Sequence, residues 1–269
     1  MHTEKPLAVV TGASSGIGLA LARVFAENGF DLVVCAEDAA VADTADELRG
    51  RGADVVAVRA DLAVYDGVEQ LYGAVLATRR PVAAAVLNAG VGEGGAFTDV
   101  DLAHHARVVD LNITSTLHLA HRLLPGMIAA GAGRLMITSS VASMAPGPFQ
   151  SVYNASKSFL QSFAQALREE LRGTGVTVTA LMPGATRTAF FHRAGMDDTR
   201  LGRMTKDDPA VVARQGYAAL MRGRGRVVAG SVSSRVLGAA LTVLPDRLKT
   251  LGQRFLSEPR PRHLLPGGR

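Results

Sequence analysis

The chain has 269 residues, 48 % of them hydrophobic, which is enough apolar material for one sizeable core, and no Ser/Gly/Pro-rich or charge-rich linker interrupts it before the C-terminus. A single cysteine, Cys35, excludes an internal disulfide and fits a reducing compartment. The net charge of +5 hides a division: residues 1–186 carry 13 Lys/Arg against 18 Asp/Glu, and residues 187–269 carry 16 against 6.

In chain order, the opening "MHTEKPLAVVTG" places charged residues before a short apolar run, unlike a signal peptide, so a cytoplasmic protein is expected. Short apolar runs then alternate with longer amphipathic stretches. Strands are predicted at 6–11, 31–36, 54–59, 82–88, 134–139, 176–182 and 226–230. Helices are predicted near 16–28, 39–50, 65–79, 100–129 and 152–172, with more helix in 190–222 and 232–256. This alternation predicts an α/β fold, a Rossmann-type doubly wound sheet of seven mainly parallel strands with helices on both faces. Ligands of such sheets sit at the carboxyl ends of the strands. Residues 1–230 would form one domain around this sheet, and 231–269 a helical extension whose last ten or so residues read as disordered.

Directly after the first strand, "TGASSGIG" sets Gly12, Gly16 and Gly18 before a helix. Glycine allows the tight turn and the close approach of backbone N–H groups to a pyrophosphate, whose charge suits the positive end of the helix. Ser14, Ser15 and Ile17 belong to the same cradle. Glu37 follows the second strand, about 20 residues on, where a carboxylate accepts from both adenosine ribose hydroxyls of NAD and repels the 2′-phosphate of NADP. NAD(H) is therefore the expected cofactor, with NADP(H) the alternative. The competing reading makes Glu37 and Asp38 the acidic start of the next helix.

Tyr153 and Lys157, in "SVYNASKSFL", lie one helical turn apart on one face, about 6 Å along the axis. An ammonium at that range is expected to lower the phenol's pKa and make it a usable acid/base. By spacing alone the pair is an ordinary helix surface. Its context is not ordinary: "ITSSVAS" brings Ser139 and Ser140 to the end of the fifth strand, where a hydroxyl can hold a substrate oxygen, and "NAG" ends the fourth.

With "TGASSGIG", Asp61–Leu62, "NAG", Asn112 in "LNITS", a strand-end serine, "YNASK" and "PGATRT" (183–188) in order, the sequence resembles the short-chain dehydrogenase/reductase family over about residues 5–230. The resemblance implies Tyr153 as acid/base and Ser140, thirteen residues earlier, as the hydroxyl that polarises the substrate. It implies Lys157 on the nicotinamide ribose and Asn112 holding a water beside that lysine. Asp61 and Leu62 would lie by the adenine, Asn88, Ala89 and Gly90 by the adenosine ribose, and Pro183, Gly184 and Thr188 by the nicotinamide. Thr188 also reads as a helix N-cap, a compatible role. Leu87 departs from the pattern, since many relatives carry a second asparagine there; strand packing would replace the polar contact.

The reaction so implied interconverts a secondary alcohol and a carbonyl on an apolar small molecule. A catalytically inactive dinucleotide sensor or scaffold of the same fold is the alternative. The family also implies a homodimer or homotetramer. His104 with His105 and His118 with His121 lack carboxylate or cysteine partners at ligand spacing, so no metal is expected. "AFFHRAGMDDTRLGRMTKDD" (189–208) reads as a lid, with Phe190, Phe191 and Met196 as an apolar wall or as ordinary core. The basic final third suits a solvated surface or peripheral contact with anionic lipid; with 5 % aromatic residues and no interleaved basic/aromatic stripe, nucleic-acid binding is not expected.

Overall fold

The computed structural model describes residues 4–259; the expected disordered tail lies outside them. Its strands are β1 (Leu7–Thr11), β2 (Asp31–Ala36), β3 (Val55–Arg59), β4 (Val82–Leu87), β5 (Gly133–Thr138), β6 (Val176–Pro183) and β7 (Arg226–Ala229). They form one sheet in the order β3-β2-β1-β4-β5-β6-β7, and every pairing is parallel. The predicted doubly wound architecture is therefore present. Strand order reverses at β1, between β2 and β4, so the loops leaving β1 and β4 diverge and open a crevice at their carboxyl ends.

Helices cover both faces: α1 (Gly16–Glu27), α2 (Ala40–Gly50) and α9 (Pro209–Met221) on one, and α3 (Tyr65–Ala77), α4 (Leu102–Val109), α5 (Ser115–Ala129) and α6 (Ser151–Glu170) on the other. Successive strand residues point to opposite faces, so β1 divides its side chains between two cores. Leu7 and Val9 join Leu71, Leu119, Met127 and Leu160 on one side; Ala8 and Val10 join Leu21, Phe25, Leu48 and Val212 on the other. Near-continuous apolar strands follow from that double burial. Cys35 lies wholly buried in β2, and burial pushes its thiol up to about 12, so it is inert at neutral pH.

The helix predicted over 100–129 differs: it is broken by a π-helical turn at Asp110–Thr114 between α4 and α5. An extra residue in one turn rotates the following side chains, and such turns are frequent at functional sites. Here the turn drives Asn112 inward until it is fully buried. Beyond β6 come two short helices, α7 (Phe190–Arg193) and α8 (Arg200–Arg203). After β7 come α10 (Val232–Val243) and α11 (Asp246–Ser257). α10 packs on β7 and on the 3-10 turn Val141–Met144, and α11 on α8.

Candidate active site

A cavity of about 780 Å³ runs along the carboxyl ends of the strands, from the glycine loop past the Tyr153 helix to the C-terminal helices. Gly12 and Gly16 have φ of +65° and +59°, a left-handed conformation open to glycine at little cost. The N-cap of α1, Ser15, makes no side-chain hydrogen bond, and no acidic residue occupies the first turn. Free N–H groups at a helix N-terminus facing a cavity fit an anionic pyrophosphate. Gly18 acts otherwise. It does not face the cavity; a Cβ there would come within 2.0 Å of the Gly12 carbonyl, so its absence lets α1 pack tightly on the loop.

The "NAG" segment is fixed to this loop by Thr11, whose Oγ1 accepts from the N–H groups of Asn88 (2.9 Å) and Ala89 (3.0 Å). Leu87, just before it, is buried in the core, the packing role expected of the departure. Ser14, Ser15, Ile17, Asp61, Leu62, Asn88, Ala89 and Gly90 all line the inner cavity with Glu37. Pro183, Gly184 and Thr188 line it too, Thr188 close against the glycine loop, where a Cβ on Gly16 would come within 2.8 Å of its Cγ2. Thr188 Oγ1 also accepts from the N–H of Phe190 at 3.2 Å, but the N-cap of α7 is Ala189, so Thr188 stands one residue before the cap it was expected to be.

Sequence reasoning missed Arg107. From α4 it donates to Glu37 Oε2 at 2.5 Å and to Asp61 Oδ2 at 3.0 Å, joining the carboxylates that follow β2 and β3. Burial works to raise the Asp61 carboxyl, but the Arg107 hydrogen bond, the Ala63 N–H and the guanidinium charge outweigh it and hold it below its usual range. No local motif in the sequence marks Arg107, because its partners are 70 and 46 residues away.

The two strand-end serines separate. Ser139 Oγ turns away and donates to the Lys157 carbonyl at 2.7 Å. Ser140 Oγ accepts from the Ala142 N–H at 3.1 Å and faces the Tyr153 hydroxyl inside the cavity. Lys157 Nζ donates to the Thr138 carbonyl at 2.9 Å and stands 5.8 Å from the Tyr153 ring centre. Asn112 does not line the cavity. Its Oδ1 accepts from Val91 N–H, and its Nδ2 donates to Val91 O and Ser156 Oγ, each at 2.9 Å. The amide thus clamps the loop after β4 onto α6, beside Lys157.

The expected lowering of the phenol's pKa is not what these side chains produce. Burial pushes Tyr153 up to about 12, with the Ser140 hydrogen bond pulling the other way. Burial also pulls Lys157 down to about 8. Desolvation penalises both charged forms, and the lysine spends its hydrogen bond on a backbone carbonyl rather than on the phenol. At neutral pH the phenol is therefore held as a proton donor.

At the outer end, Phe190 and Phe191 form an apolar wall, with the Phe190 ring centre 5.1 Å from that of Tyr153. Met196 instead joins the small core beneath them. Among the described residues no three His, Cys, Asp or Glu side chains gather as a metal site. His118 instead contacts Glu69 at 2.5 Å, and His105 stacks on Phe97.

A parallel sheet with an anion-binding glycine loop at its switch point, and a buried Ser-Tyr-Lys group at the next strand end, defines a dinucleotide-dependent oxidoreductase. The family model described as short chain dehydrogenase matches residues 6–198. The chain belongs to that family, whose enzymes interconvert alcohols and carbonyls with a nicotinamide dinucleotide. Sulfoacetaldehyde reductase 2 of Chromohalobacter salexigens is 36 % identical over 208 residues, which cover 75 % of this chain and 81 % of that one. A short-chain dehydrogenase from Sphingobium yanoikuyae in complex with NADPH superimposes with a TM-score of 0.78 at 30 % identity, over 83 % of this chain and 87 % of that one. A short-chain dehydrogenase/reductase from Burkholderia phymatum in complex with NAD gives 0.79 at 26 % identity, over 90 % and 94 %.

Proposed function

We propose that the protein interconverts a secondary alcohol and a ketone on an apolar small molecule, with NAD(H) preferred over NADP(H). The observation that carries this reading is the convergence of the Ser140 hydroxyl, the Tyr153 phenol and the Lys157 ammonium beside one cavity. The cofactor supplies the hydride, exchanged between nicotinamide and substrate carbon. Ser140 orients the substrate oxygen as a hydrogen-bond donor. Tyr153, protonated at neutral pH, gives its proton to that oxygen during reduction; in the oxidation direction it is the phenolate that takes the alcohol's proton, so oxidation is favoured by raised pH. Lys157, its ammonium 5.8 Å from the ring centre of Tyr153, steadies the phenolate formed when the proton leaves. Asn112 fixes the Val91 loop that borders this point and so acts as a positioning residue. Phe190 and Phe191 exclude water and favour an apolar substituent.

Residues 1–230 form the binding and catalytic unit in this reading, and the C-terminal extension completes the substrate end. A homo-oligomer is expected through the α4–α5 side, where Leu102, Val109, Leu117 and Ile128 are exposed.

NAD(H) preference rests on Glu37, which lines the cavity with Arg107 neutralised between it and Asp61. A like charge within about 4 Å of a 2′-phosphate is worth kilocalories at a partly shielded site. In fluorescence titrations, NADH is expected to bind at least about tenfold tighter than NADPH. Glu37→Gln removes the repulsion and frees Arg107, so the ratio should move toward NADPH by about tenfold or more. A ratio unchanged by the substitution would remove Glu37 from cofactor selection. The reaction itself is tested by following NADH oxidation against a panel of apolar ketones. Turnover of at least one is expected, whereas tight NADH binding with no turnover of any carbonyl or alcohol would favour the sensor.

A further inference from the structure

The two C-terminal helices turn one apolar row toward the cavity and leave another facing out. Leu237, Leu241, Leu244, Leu248 and Leu256 line the cavity's outer end. On α10, Val232, Val236 and Val243 fall within about 40° of one another around the helix and are 62–82 % exposed. On α11, Leu248, Leu251 and Phe255 follow at i, i+3 and i+7 and are 56–63 % exposed. Among the described residues Arg200 lies over the Phe255 ring, and the rest of both rows is open. Apolar exposure aligned in rows marks a contact surface rather than the scattered apolar residues of an ordinary exterior.

The charge around the rows is one-sided. Residues 231–259 carry Arg235, Arg247, Lys249 and Arg254 against Asp246 and Glu258. Both acids are engaged locally, Asp246 with Lys249 at 3.2 Å and Glu258 with Arg254 at 3.3 Å. Arg235 and Arg247 make no ion pair among the described residues. The neighbouring α8 adds Arg203 and Arg200, the latter stacked 3.9 Å over the Phe255 ring. Past residue 259 the sequence continues with three more arginines and no acid.

We propose that the face formed by α10 and α11 docks on the surface of an anionic lipid bilayer, so that a lipophilic substrate enters the cavity from the membrane. Apolar rows flanked by arginine are the pattern of helices that lie in the headgroup region. A spanning mode is excluded by length, since each helix has 12 residues and no described helix is long and apolar enough to cross a membrane. A second copy of the chain is the poorer occupant: a two-fold contact pairs this net-basic face with itself, whereas anionic headgroups complement it. Leu244 and Leu248 belong both to the cavity wall and to the exterior, so the docked face is continuous with the mouth. The docking stands apart from the chemistry; only the route of substrate entry rests on the proposed reaction.

The test is flotation of the full chain with vesicles of phosphatidylcholine alone or mixed with phosphatidylglycerol. Binding is expected to the mixed vesicles, weaker at high salt, and at least tenfold weaker to phosphatidylcholine alone. The double variants Val243→Glu/Leu251→Glu and Arg235→Glu/Arg247→Glu each should lose at least tenfold in partitioning while keeping the NADH titration of the parent, which shows that they fold. These residues do not line the cavity. Wild-type protein that stays with the aqueous phase at low salt, or variants that float like it, overturns the proposal. It is equally overturned if the variants change only the oligomeric mass in light scattering, because the face is then a subunit interface. None of these readouts needs turnover, so failure of the enzymatic reading is seen separately.

Discussion

Tyr153→Phe is expected to lower kcat for carbonyl reduction by about 10²- to 10⁴-fold, the usual share of a positioned general acid. NADH affinity should stay within about threefold, because the change removes a group needed in the transition state rather than in the ground state. The size follows from the surroundings. The phenol is buried at the cavity floor, faces Ser140, and is held protonated by a pKa near 12. Of the other groups at that point, the Ser140 hydroxyl is a far weaker acid than a phenol, Ser139 is spent on the Lys157 carbonyl, and Lys157 directs its one hydrogen bond to the Thr138 carbonyl. Phenylalanine keeps the ring's packing against Phe190, so loss of fold is not the cause of the loss of rate. A variant retaining more than about a tenth of the parent rate would remove Tyr153 from the proton-transfer step. Thermal unfolding close to the parent's completes the control.

The second large effect is on stability and its pH dependence. Lys157 is 4 % exposed and its amine is pulled down to about 8 from 10.5 by burial. The folded chain therefore binds fewer protons there than the unfolded chain between those values. Stability contributed at this site rises with pH across roughly 8 to 10.5, and below pH 8 the folded state carries the whole cost of the buried charge. That cost is on the order of 3 kcal/mol. Lys157→Met removes the charge and keeps much of the stem, so the variant should gain in stability relative to the parent at pH 7. The gain is reduced by the lost hydrogen bond to Thr138 O, and it should shrink as pH is raised toward 10. Activity should fall together with Tyr153→Phe. Urea unfolding at pH 7 and near pH 9.5 measures the difference, and a gap that widens with rising pH would contradict the assignment. Tyr153 runs the opposite way: its folded pKa of about 12 lies above its unfolded value of 10. Its contribution is therefore complete below pH 10 and is lost as pH climbs through 12.

Much of the architecture was legible because strands buried on both faces must be apolar throughout. "LAVVT", "DLVVCA" and "RLMIT" announce themselves without knowledge of their neighbours, and the observed strands begin or end within about a residue of the expected bounds. The π-helical break in the helix over 100–129 is not legible because nothing in "VVDLNITST" interrupts the apolar period; it turns Asn112 inward to partners distant in sequence, Val91 and Ser156. Glycine spacing located the loop that lines the cavity but could not separate Gly12 and Gly16, which shape it, from Gly18, which packs behind it. The family resemblance favours Ser140 over Ser139; in the fold Ser139 Oγ donates to the Lys157 carbonyl and Ser140 Oγ accepts from the Ala142 N–H.

The sequence by itself determined the alternation of strands and helices, the glycine loop, and the Tyr153-Lys157 turn. Each is a local pattern, set by backbone conformation and side-chain period within a few residues. Only the tertiary structure decided that Arg107 bridges Glu37 and Asp61, that burial rather than the lysine sets the phenol's protonation, and that the C-terminal helices close the cavity with leucine. Those features depend on side chains distant in sequence meeting in a medium that has lost its water, where the cost of exposing a charge or an apolar surface is fixed by everything packed around it.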